Sequence, residues 1–558
     1  MIKASRVVLS LIVSFIYSLA YAVVGPMAAS QDFGLHKSFI LSFAVCFLVC
    51  FIVNYILFTF VPRIRFDKAD ARISGFFERF KPRTLFLCTW LFIFLCWVPA
   101  LLVTFPGVLS YDIISQSGDA ISGISSNHHP VLHTWLLSVF MKFGKAVFGT
   151  YESGLGFLSL LQMVVLSYAF TRFIFTLKKK KVSSLLLLIV TLFFALWFTN
   201  AVMAVTMVKD TLHAAFFVLF VCHFTEIVTS ASEYFGSLRN RVLLPIVAFF
   251  MLATRNNGLH IYLFCFAILF LLKIVGVIRS GKVKKCVVPA LVVLIPVVVF
   301  KLYSGPFFAR LGIVQGDIKE AFCVPIQQLQ RVDVINCAEL TPEEKATLES
   351  YIVDAPQWMG YDRQRAYDPF SADPAKGWFY TYQYDQSPKA FWKFYIKMGL
   401  KFPRTYIEAF LSNTLDFWYP GHYLWSYVMY DDYPAEDFAL FTEPLTRRSL
   451  VMIKPVDDYY RSLCLSESWR NIPVVRFFFV PGFSAWMLLY MLIFSWRKKG
   501  FFTKALPLYL PHIAQFGIML LCPIASFRYS WPLFLTVPVA FIMIFEKGKE
   551  NELTNSAE

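Results

Sequence analysis

Apolar residues fall along the chain in long runs that short polar stretches separate. The runs are roughly 17 to 24 residues long, which is the length an α-helix needs to cross the hydrocarbon core of a bilayer. The pattern predicts about twelve membrane-spanning helices, near residues 7-28, 38-61, 85-105, 155-177, 183-200, 208-229, 242-255, 258-275, 286-303, 474-496, 505-524 and 530-546.

Basic residues are concentrated in alternate loops between these runs. The clusters are Lys3 with Arg6, Arg63 to Arg83, Lys178 to Lys181, Arg239 with Arg241, Lys282 to Lys285, and Arg497 to Lys499. Because loops rich in Lys and Arg stay in the cytoplasm, the pattern places these loops and both termini on that side. Residues 106–154 and 304–472 are then outside, and the second of these holds more acidic than basic residues.

Composition supports the same class. Of the 558 residues, 58% are hydrophobic and only 16% are charged, and the mean hydropathy is +0.59. These values exclude a soluble, disordered or disulfide-scaffold protein and indicate a multi-pass membrane protein. The net charge of +16 follows from the cytoplasmic loops, so it predicts topology and no nucleic-acid partner. The first run is too long for a signal peptide, so we expect a retained helix.

The fold class is therefore all-α and polytopic, with about twelve spans, interfacial helices and a mixed extracytoplasmic domain. The predicted divisions are a hairpin with a basic loop (1–84), a transmembrane core (85–303), the outer domain (304–472), the C-terminal spans (473–546) and a cytoplasmic tail (547–558).

Two amphipathic segments are predicted to lie flat on the membrane. Residues 131–148 resemble a thirteenth span, but Thr134, Ser138 and Lys142 recur every four residues opposite an apolar face. In the outer domain, Lys389, Lys393, Lys397 and Lys401 form a basic stripe. This stripe fits either a solvated, headgroup-contacting face or a contact for an anionic polymer or lipid phosphate.

Polar groups at the outer ends of predicted spans are the main candidates for function. They are Lys209 with Asp210, Arg255 with Asn256 and Asn257, and Arg528 with Tyr529. Each costs free energy at membrane depth unless it meets a partner or a ligand. Taken singly, they also fit a helix-mouth ion pair or headgroup anchors. Their convergence on one side predicts an active site at the outer face.

The first outer loop lies on the same side. If YDIISQSGD is helical, Asp112, Gln116 and Asp119 share one face. The adjacent His128 and His129 fit a structural or substrate-orienting role, a proton shuttle or a metal ligand, and no ligand framework of zinc spacing surrounds them. Among the outer cysteines, the 14-residue spacing favours Cys323 with Cys337 as a disulfide, and Cys464 is then left over.

In chain order, the motifs PGVLSYDIISQ, SNHHPVLHT, VKDT, RNNG, PIQQLQRV, FWYPG and SFRYSWP resemble a family of predicted bacterial membrane glycosyltransferases related to the GT-C superfamily. The resemblance extends from about Phe105 to Pro532. GT-C enzymes carry a catalytic acid in the first large outer loop, the position of Asp112. Two predicted spans precede this loop here, whereas many GT-C enzymes have one.

The resemblance implies a sugar donor linked to polyprenyl phosphate and a cell-envelope glycan or glycolipid as acceptor, at the outer face of a bacterial plasma membrane. It implies Asp112 as base, Asp210 as second acid or orienting residue, and Lys209, Arg255 and Arg528 as phosphate ligands. Further substrate contacts would be Gln116, His128, His129, Asn257, Gln327, Arg331 and Tyr529. Some GT-C enzymes use Mg or Mn and others no metal, and both alternatives stay open.

Three other functions fit a chain of this kind. A ligase or polymerase of the O-antigen type would have its chemistry in 304–472. A lipid-linked sugar flippase or transporter would show ionisable or broken-helix features near the midplane and paired halves, neither of which the sequence indicates. An envelope scaffold would leave the outer polar residues unexplained.

Overall fold

The computed structural model describes residues 2–30, 39–61, 64, 67–109, 112–279, 286–352, 367–419, 453–465, 472, 475, 480–496 and 500–545. The predicted tail at 547–558, Arg63, the basic clusters at 282–285 and 497–499, and the end of the FWYPG motif lie outside these residues. Within them the chain is helical, and β-structure is limited to isolated bridges.

The first half of the chain consists of long apolar helices and their connections. These helices are α1 Ile2–Ser30, α2 Phe39–Phe60, α3 Asp67–Phe77, α4 Pro82–Thr104, α5 Ile113–Ser122, α6 Val131–Phe148, α7 Tyr151–Lys179, α8 Ser184–Leu196, α9 Phe198–Val205, α10 Lys209–Gly236, α11 Leu238–Thr254, α12 Gly258–Arg279 and α13 Val287–Leu302.

The second half begins with shorter helices and ends with apolar ones. These are α14 Phe308–Arg310, α15 Cys323–Ile335, α16 Pro342–Tyr351, α17 Asp373–Gly377, α18 Thr381–Gln386, α19 Pro388–Lys401, α20 Pro403–Asn413, α21 Leu415–Trp418, α22 Lys454–Leu465, α23 Gly482–Trp496, α24 Leu506–Met519, α25 Phe527–Thr536 and α26 Phe541–Ile544.

Nine helices within the described residues are long and apolar enough to cross a membrane. A tenth would result if α8 and α9, which are bent by 49° at Trp197, form one broken span. Three of the other predicted spans form shorter described helices, α11, α23 and α24. The protein is thus a helical, multi-pass membrane protein. The bend also corrects the expectation that the chain has no broken helix.

Contacts between helices show which helix ends lie together. Arg172 of α7 pairs with Glu226 of α10 at 2.8 Å, and Lys179 pairs with Glu233 at 3.5 Å, so α7 and α10 run in parallel. Helix α4 runs antiparallel to α7, since the Trp90 indole donates to Ser167 and the Ser159 hydroxyl donates to the Pro106 carbonyl. One end of the bundle therefore carries the basic cluster at 178–181, and we call it the basic end.

Helix α6 has the predicted bounds and folds back along α7. The turn between them is tight, and a Cβ on Gly144 would come within 2.2 Å of the Gly154 nitrogen. Small residues at this crossing let the two backbones approach closely. Helix α6 is among the nine candidate spans by length and composition, so its placement flat on the membrane stays a prediction.

The described part of 304–472 contains helices rather than the mixed structure that we expected. Helices α15 to α20 enclose a small core that includes Leu329, Phe391 and Met398. Two lysines of the basic stripe form ion pairs within this group of helices: Lys397 and Lys401 pair with Glu344 at 3.0 and 2.6 Å. Lys389 and Lys393 are exposed.

The predicted Cys323–Cys337 disulfide is wrong. All eleven cysteines are free, and Cys323 is the first residue of α15 whereas Cys337 follows its end. A rise of about 1.5 Å per helical residue separates the two thiols by roughly 20 Å, and a disulfide needs Cα atoms closer than about 7 Å. The prediction failed because the spacing of the two cysteines does not show that a helix, α15, lies between them.

Candidate active site

A short backbone pairing brings the loop that follows α4 to the beginning of α10. Val108 and Thr206 form a parallel bridge, in which the Val108 N–H donates to the Val205 carbonyl and the Met207 N–H donates to the Val108 carbonyl, both at 3.0 Å. Asp112 follows a few residues after one partner of this bridge, and Lys209 and Asp210 follow the other. The pairing therefore places both carboxylates beside one lysine.

Gly107 makes this approach feasible. Its φ is +142°, and a Cβ at this position would lie 2.5 Å from the Ser159 hydroxyl and 2.6 Å from the Val205 carbonyl oxygen. A side chain would thus strain the backbone and push the two segments apart. Glycine at this position allows the loop to reach α10.

Five charged side chains form one network at the end of the bundle opposite to the basic end. Lys209 Nζ lies 2.5 Å from Asp112 Oδ2, and Arg528 Nη1 lies 3.2 Å from the same oxygen. Arg255 pairs with Asp210 Oδ1, and Arg528 Nη1 is 3.7 Å from Asp210 Oδ2. Arg528 thus links the two carboxylates. We call these five residues the charge cluster.

The charge cluster has a deep side and an accessible side. The Asp210 side chain is fully buried, and those of Arg255 and Arg528 are 11% and 10% exposed. The side chains of Lys209 and Asp112 are 16% and 24% exposed. Since three cations face two carboxylates, the cluster carries a formal charge of +1 in a largely buried place. A buried net charge is costly without a counter-ion, so the arrangement suits an anionic ligand at the accessible side.

Tyr529 holds the two guanidinium groups in place. Their central carbons lie 4.4 Å (Arg255) and 4.8 Å (Arg528) from the centroid of its ring, and Arg528 Nη2 donates to the Tyr529 hydroxyl at 2.9 Å. The planar groups are therefore oriented before any ligand arrives, which lowers the cost of binding one.

The ion pairs also determine the protonation of Asp112. Burial opposes its ionisation, but the charges of Lys209 and Arg528 outweigh this effect and hold the pKa of Asp112 well below its usual range. A carboxylate with such a low pKa is a weak proton acceptor. Asp112 can act as a strong base only when another anion draws these cations away.

His129 is a neutral neighbour of the cluster. Burial, together with the charge of Lys209, lowers the pKa of His129 to about 3. Its Nδ1 lies 3.3 Å from Lys209 Nζ, and its Nε2 lies 2.9 Å from the Ser115 hydroxyl. Because an ammonium group only donates, Nδ1 accepts and the ring proton is on Nε2, which donates to Ser115. His129 thereby orients Lys209.

Other predicted site residues lie near the charge cluster without joining its ion pairs. Gln116 of α5 is buried and donates to the Thr134 hydroxyl at 3.1 Å. Asp119, three residues further along, takes part in no ion pair of the described network, and burial raises its pKa. The exposed ring of His128 packs edge-on against His129, at 4.6 Å between centroids. Asn257 belongs to the turn between α11 and α12.

Two predicted substrate contacts, Gln327 and Arg331, bond to residues outside the charge cluster. Gln327 donates to the Asp368 carbonyl at 2.6 Å, and Arg331 pairs with Glu408 at 2.8 Å. Both side chains are buried among the helices of residues 304–472. The structure therefore places these two residues in the packing of that segment and not in the charge cluster.

Sequence reasoning missed His133. It lies four residues after His129 on α6 and is fully buried, and neither ring nitrogen has a hydrogen-bond partner among the described residues. The available signal was a third histidine in the SNHHPVLHT motif, which lies in the first turn of α6 just after His129 and Pro130. Three other neighbours were also missed: Ser115, Thr134 and Cys522, whose sulfur lies 4.0 Å from Arg255 Nη2.

The described residues do not form an obvious metal site. No three His, Cys, Asp or Glu side chains among them are close enough together to hold an ion. Within the charge cluster, each carboxylate is already bound by basic side chains. These donors do not fit a divalent cation.

Comparison with known proteins gives a family and no activity. A family model described as "Family of unknown function (DUF6020)" matches residues 121–558, which is well over half of the chain. The match includes four members of the charge cluster and begins near the end of α5, after Asp112 and the first four helices. No curated protein and no solved structure matches the chain.

Proposed function

The chain belongs to the DUF6020 family, and we propose that it is a membrane glycosyltransferase of the GT-C type. In this proposal about twelve spans cross a bacterial plasma membrane, and both termini are cytoplasmic. The donor is a sugar on polyprenyl phosphate, the acceptor is an envelope glycan or glycolipid, and transfer takes place at the outer face.

The observation that supports the proposal most is the charge cluster. It combines a partly accessible carboxylate, Asp112, with an excess of fixed positive charge at one end of the helices. Transfer from a lipid phosphate requires this combination, because a base must activate the acceptor hydroxyl and cations must stabilise the departing phosphate.

Donor binding would change the state of the base. A phosphate group that enters at the accessible side competes with Asp112 for Lys209 and Arg528, which hold the carboxylate in the free protein. When these cations turn to the phosphate, the pKa of Asp112 rises towards its usual range. The free protein therefore keeps a weak base, and the donor activates it.

The transfer step then uses the residues of the cluster directly. The acceptor oxygen bonds to the anomeric carbon while its proton passes to Asp112. The bond between the anomeric carbon and the phosphate oxygen breaks, and its electron pair leaves with polyprenyl phosphate. Lys209 and Arg528 stabilise this leaving group. Asp210 stays paired with Arg255 at the buried side and orients the two arginines.

A lipid-linked sugar flippase is the second candidate, and one observation favours it. The bent pair α8 and α9 ends at Val205, four residues before Lys209. Broken helices beside charged residues are typical of substrate sites in transporters.

A single reconstitution separates the two functions. The full-length protein is placed in liposomes with a panel of radiolabelled polyprenyl-phosphate sugars and an envelope-glycan acceptor extract. We expect labelled glycan or glycolipid and released polyprenyl phosphate in equal amounts. Movement of intact donor between leaflets without any release would instead establish the flippase, and neither outcome with the whole panel would contradict both proposals. Comparing envelope glycans of cells with and without the protein would identify the sugar.

A further inference from the structure

The basic end contains a second buried charge arrangement, which sequence reasoning missed. Arg172 of α7 and Glu226 of α10 pair at 2.8 Å inside two candidate spans, with side-chain exposures of 26% and 5%. Beside them the Tyr234 hydroxyl lies 2.7 Å from His223 Nδ1. Ionisable groups within spans are costly and mark functional sites more often than packing.

A polar cavity of about 220 Å³ lies next to this pair. Its walls include Lys179, Lys180, Glu226, Ser230 and Glu233. Helix α10 departs from helical geometry at Ser230, so the helix bends where it borders the cavity. The cavity thus lies towards the ends of two candidate spans, α7 and α10.

The charges around the cavity do not balance. Glu226 pairs with Arg172, and Glu233 pairs with Lys179. Lys180 is half-buried in the cavity wall, and no carboxylate of the described chain lies within salt-bridge distance of it. When Arg172 is counted with the two wall lysines, three cations face the carboxylates of Glu226 and Glu233, and the group carries a formal charge of +1 that an anion can balance.

Lys181, an exposed and strained cation at the end of α7, directly follows the two lysines of the cavity wall. The Val182 N–H donates to the Leu177 carbonyl and the Lys181 N–H donates to the Lys178 carbonyl, as in a Schellman motif. The residue in the left-handed position is Lys181, with φ of +62°, and it is the one non-glycine residue of the described chain with a positive φ. Glycine normally occupies this position, because a side chain there costs on the order of 1 kcal/mol. Retaining lysine in spite of this cost fits a requirement for positive charge.

We propose that this cavity binds the phosphate group of an anionic phospholipid headgroup in the cytoplasmic leaflet. Lys180 supplies the main contact, and Lys179 can turn from Glu233 to the phosphate. Basic pockets between spanning helices on the cytoplasmic side have the chemistry for such headgroups. The proposal is independent of the glycosyltransferase assignment, since the charge cluster lies at the other end of the bundle.

Lipid titration of the full-length protein tests the proposal. Thermal unfolding and native mass spectrometry are recorded with phosphatidylglycerol, with phosphatidylcholine and with inorganic phosphate. We expect preferential binding of phosphatidylglycerol, and about fivefold weaker binding by Lys180→Ala, from roughly 1 kcal/mol per lysine. Lys142→Ala is the matched control, because it removes the same charge from an exposed position on α6 and should bind like the unaltered protein.

A second variant distinguishes loss of the binding site from misfolding. Glu233→Gln removes a competing carboxylate and frees Lys179, so it should bind phosphatidylglycerol more tightly, which a damaged protein would not do. Binding of inorganic phosphate that Lys180→Ala also weakens would support the phosphate site, with free phosphate as the source. Equal binding of both lipids, or no difference between Lys180→Ala and Lys142→Ala, would overturn the proposal.

Discussion

Arg528 is the residue on which the geometry of the charge cluster depends most. One of its guanidinium nitrogens lies 3.2 Å from Asp112 and 3.7 Å from Asp210, and the other donates to Tyr529. A planar group with several donors can serve these partners together, whereas an ammonium group is a single point charge. Arginine is therefore not exchangeable for lysine at this position.

We expect Arg528→Lys to fold and to lose about tenfold to a hundredfold in transfer rate, the equivalent of one or two charge-assisted hydrogen bonds. Transfer kinetics and thermal unfolding measured on the same preparation test this. Arg404→Lys is the control, since Arg404 is exposed at the surface of α20 and pairs with Glu408 there. Equal activity of both variants would reduce Arg528 to an interface anchor.

The pKa of Asp112 predicts an unusual pH dependence. In the free protein Lys209 and Arg528 hold the pKa of this carboxylate well below its usual range, so kcat/KM, which reports the free protein, should not fall with acidification until the pH is well below the usual pKa of an aspartate. In the donor complex the cations are engaged by phosphate, so kcat should fall at a higher pH than kcat/KM does.

Lys209→Gln should shift the acid limb of kcat/KM upward, because one source of the depression is removed. A limb that stays in place would show that Asp112 is not the titrating base. His129 has a pKa of about 3, so its titration should not change kcat/KM near neutral pH.

At the scale of elements, the bridge between Val108 and Thr206 positions the loop that carries Asp112, and a side chain at Gly107 would disrupt it. We expect Gly107→Ala to lower the free energy of unfolding by about 1–3 kcal/mol and to lower transfer further, because Asp112 moves relative to Lys209. Gly118→Ala on α5 is the control, since a Cβ there meets nothing within 4 Å. If both variants were equally stable and active, the bridge would not determine the site.

Long apolar runs were sufficient to predict most of the helices, because burial of a spanning segment depends on its composition alone. The candidates Asp112, Lys209, Asp210, Arg255 and Arg528 were also accessible to sequence reasoning, since charges at the ends of apolar runs stand out. Their pairing was not, because it depends on contacts between residues up to 416 positions apart.

Single polar residues inside apolar runs were missed because, unlike charges at the ends of runs, they do not stand out in the sequence. Arg172, Glu226 and His133 each interrupt a run too briefly to change its hydropathy, so only the packed helices show that Arg172 meets Glu226. The bend at Trp197 has no proline or glycine near it in the sequence, so the usual sequence signals of a helix break were absent. Within 304–472, the sequence showed the segment of the basic stripe, which forms α19, but the charged and aromatic sequence gave no signal for shorter helices such as α15 and α16.

Across the whole molecule, charge is divided between the two ends of the bundle. The basic end carries the lysines that follow α7, and the charge cluster occupies the other end. If the first end is cytoplasmic, as the distribution of Lys and Arg predicts, a glycosyltransferase site would face outward, where lipid-linked donors meet envelope glycans.

Reporter fusions test this orientation. Alkaline phosphatase joined after Lys180 should be inactive, and joined near Ala346 in α16 it should be active, because the enzyme folds only outside the cytoplasm. The reversed pattern would place the charge cluster in the cytoplasm and contradict an outward-facing site.

The most direct test of the account is the transfer rate of Asp112→Asn beside that of Asp119→Asn. Both changes remove one carboxylate from the same short segment, but only Asp112 contacts Lys209 and Arg528. With a polyprenyl-phosphate sugar and acceptor, we expect Asp112→Asn to lose on the order of a hundredfold or more in rate while donor binding is kept, and Asp119→Asn to stay near normal. Near-normal transfer by Asp112→Asn would contradict the account. The base would then be Asp210 if Asp210→Asn were inactive, and otherwise the chemistry would belong to the late outer segment, as in a ligase.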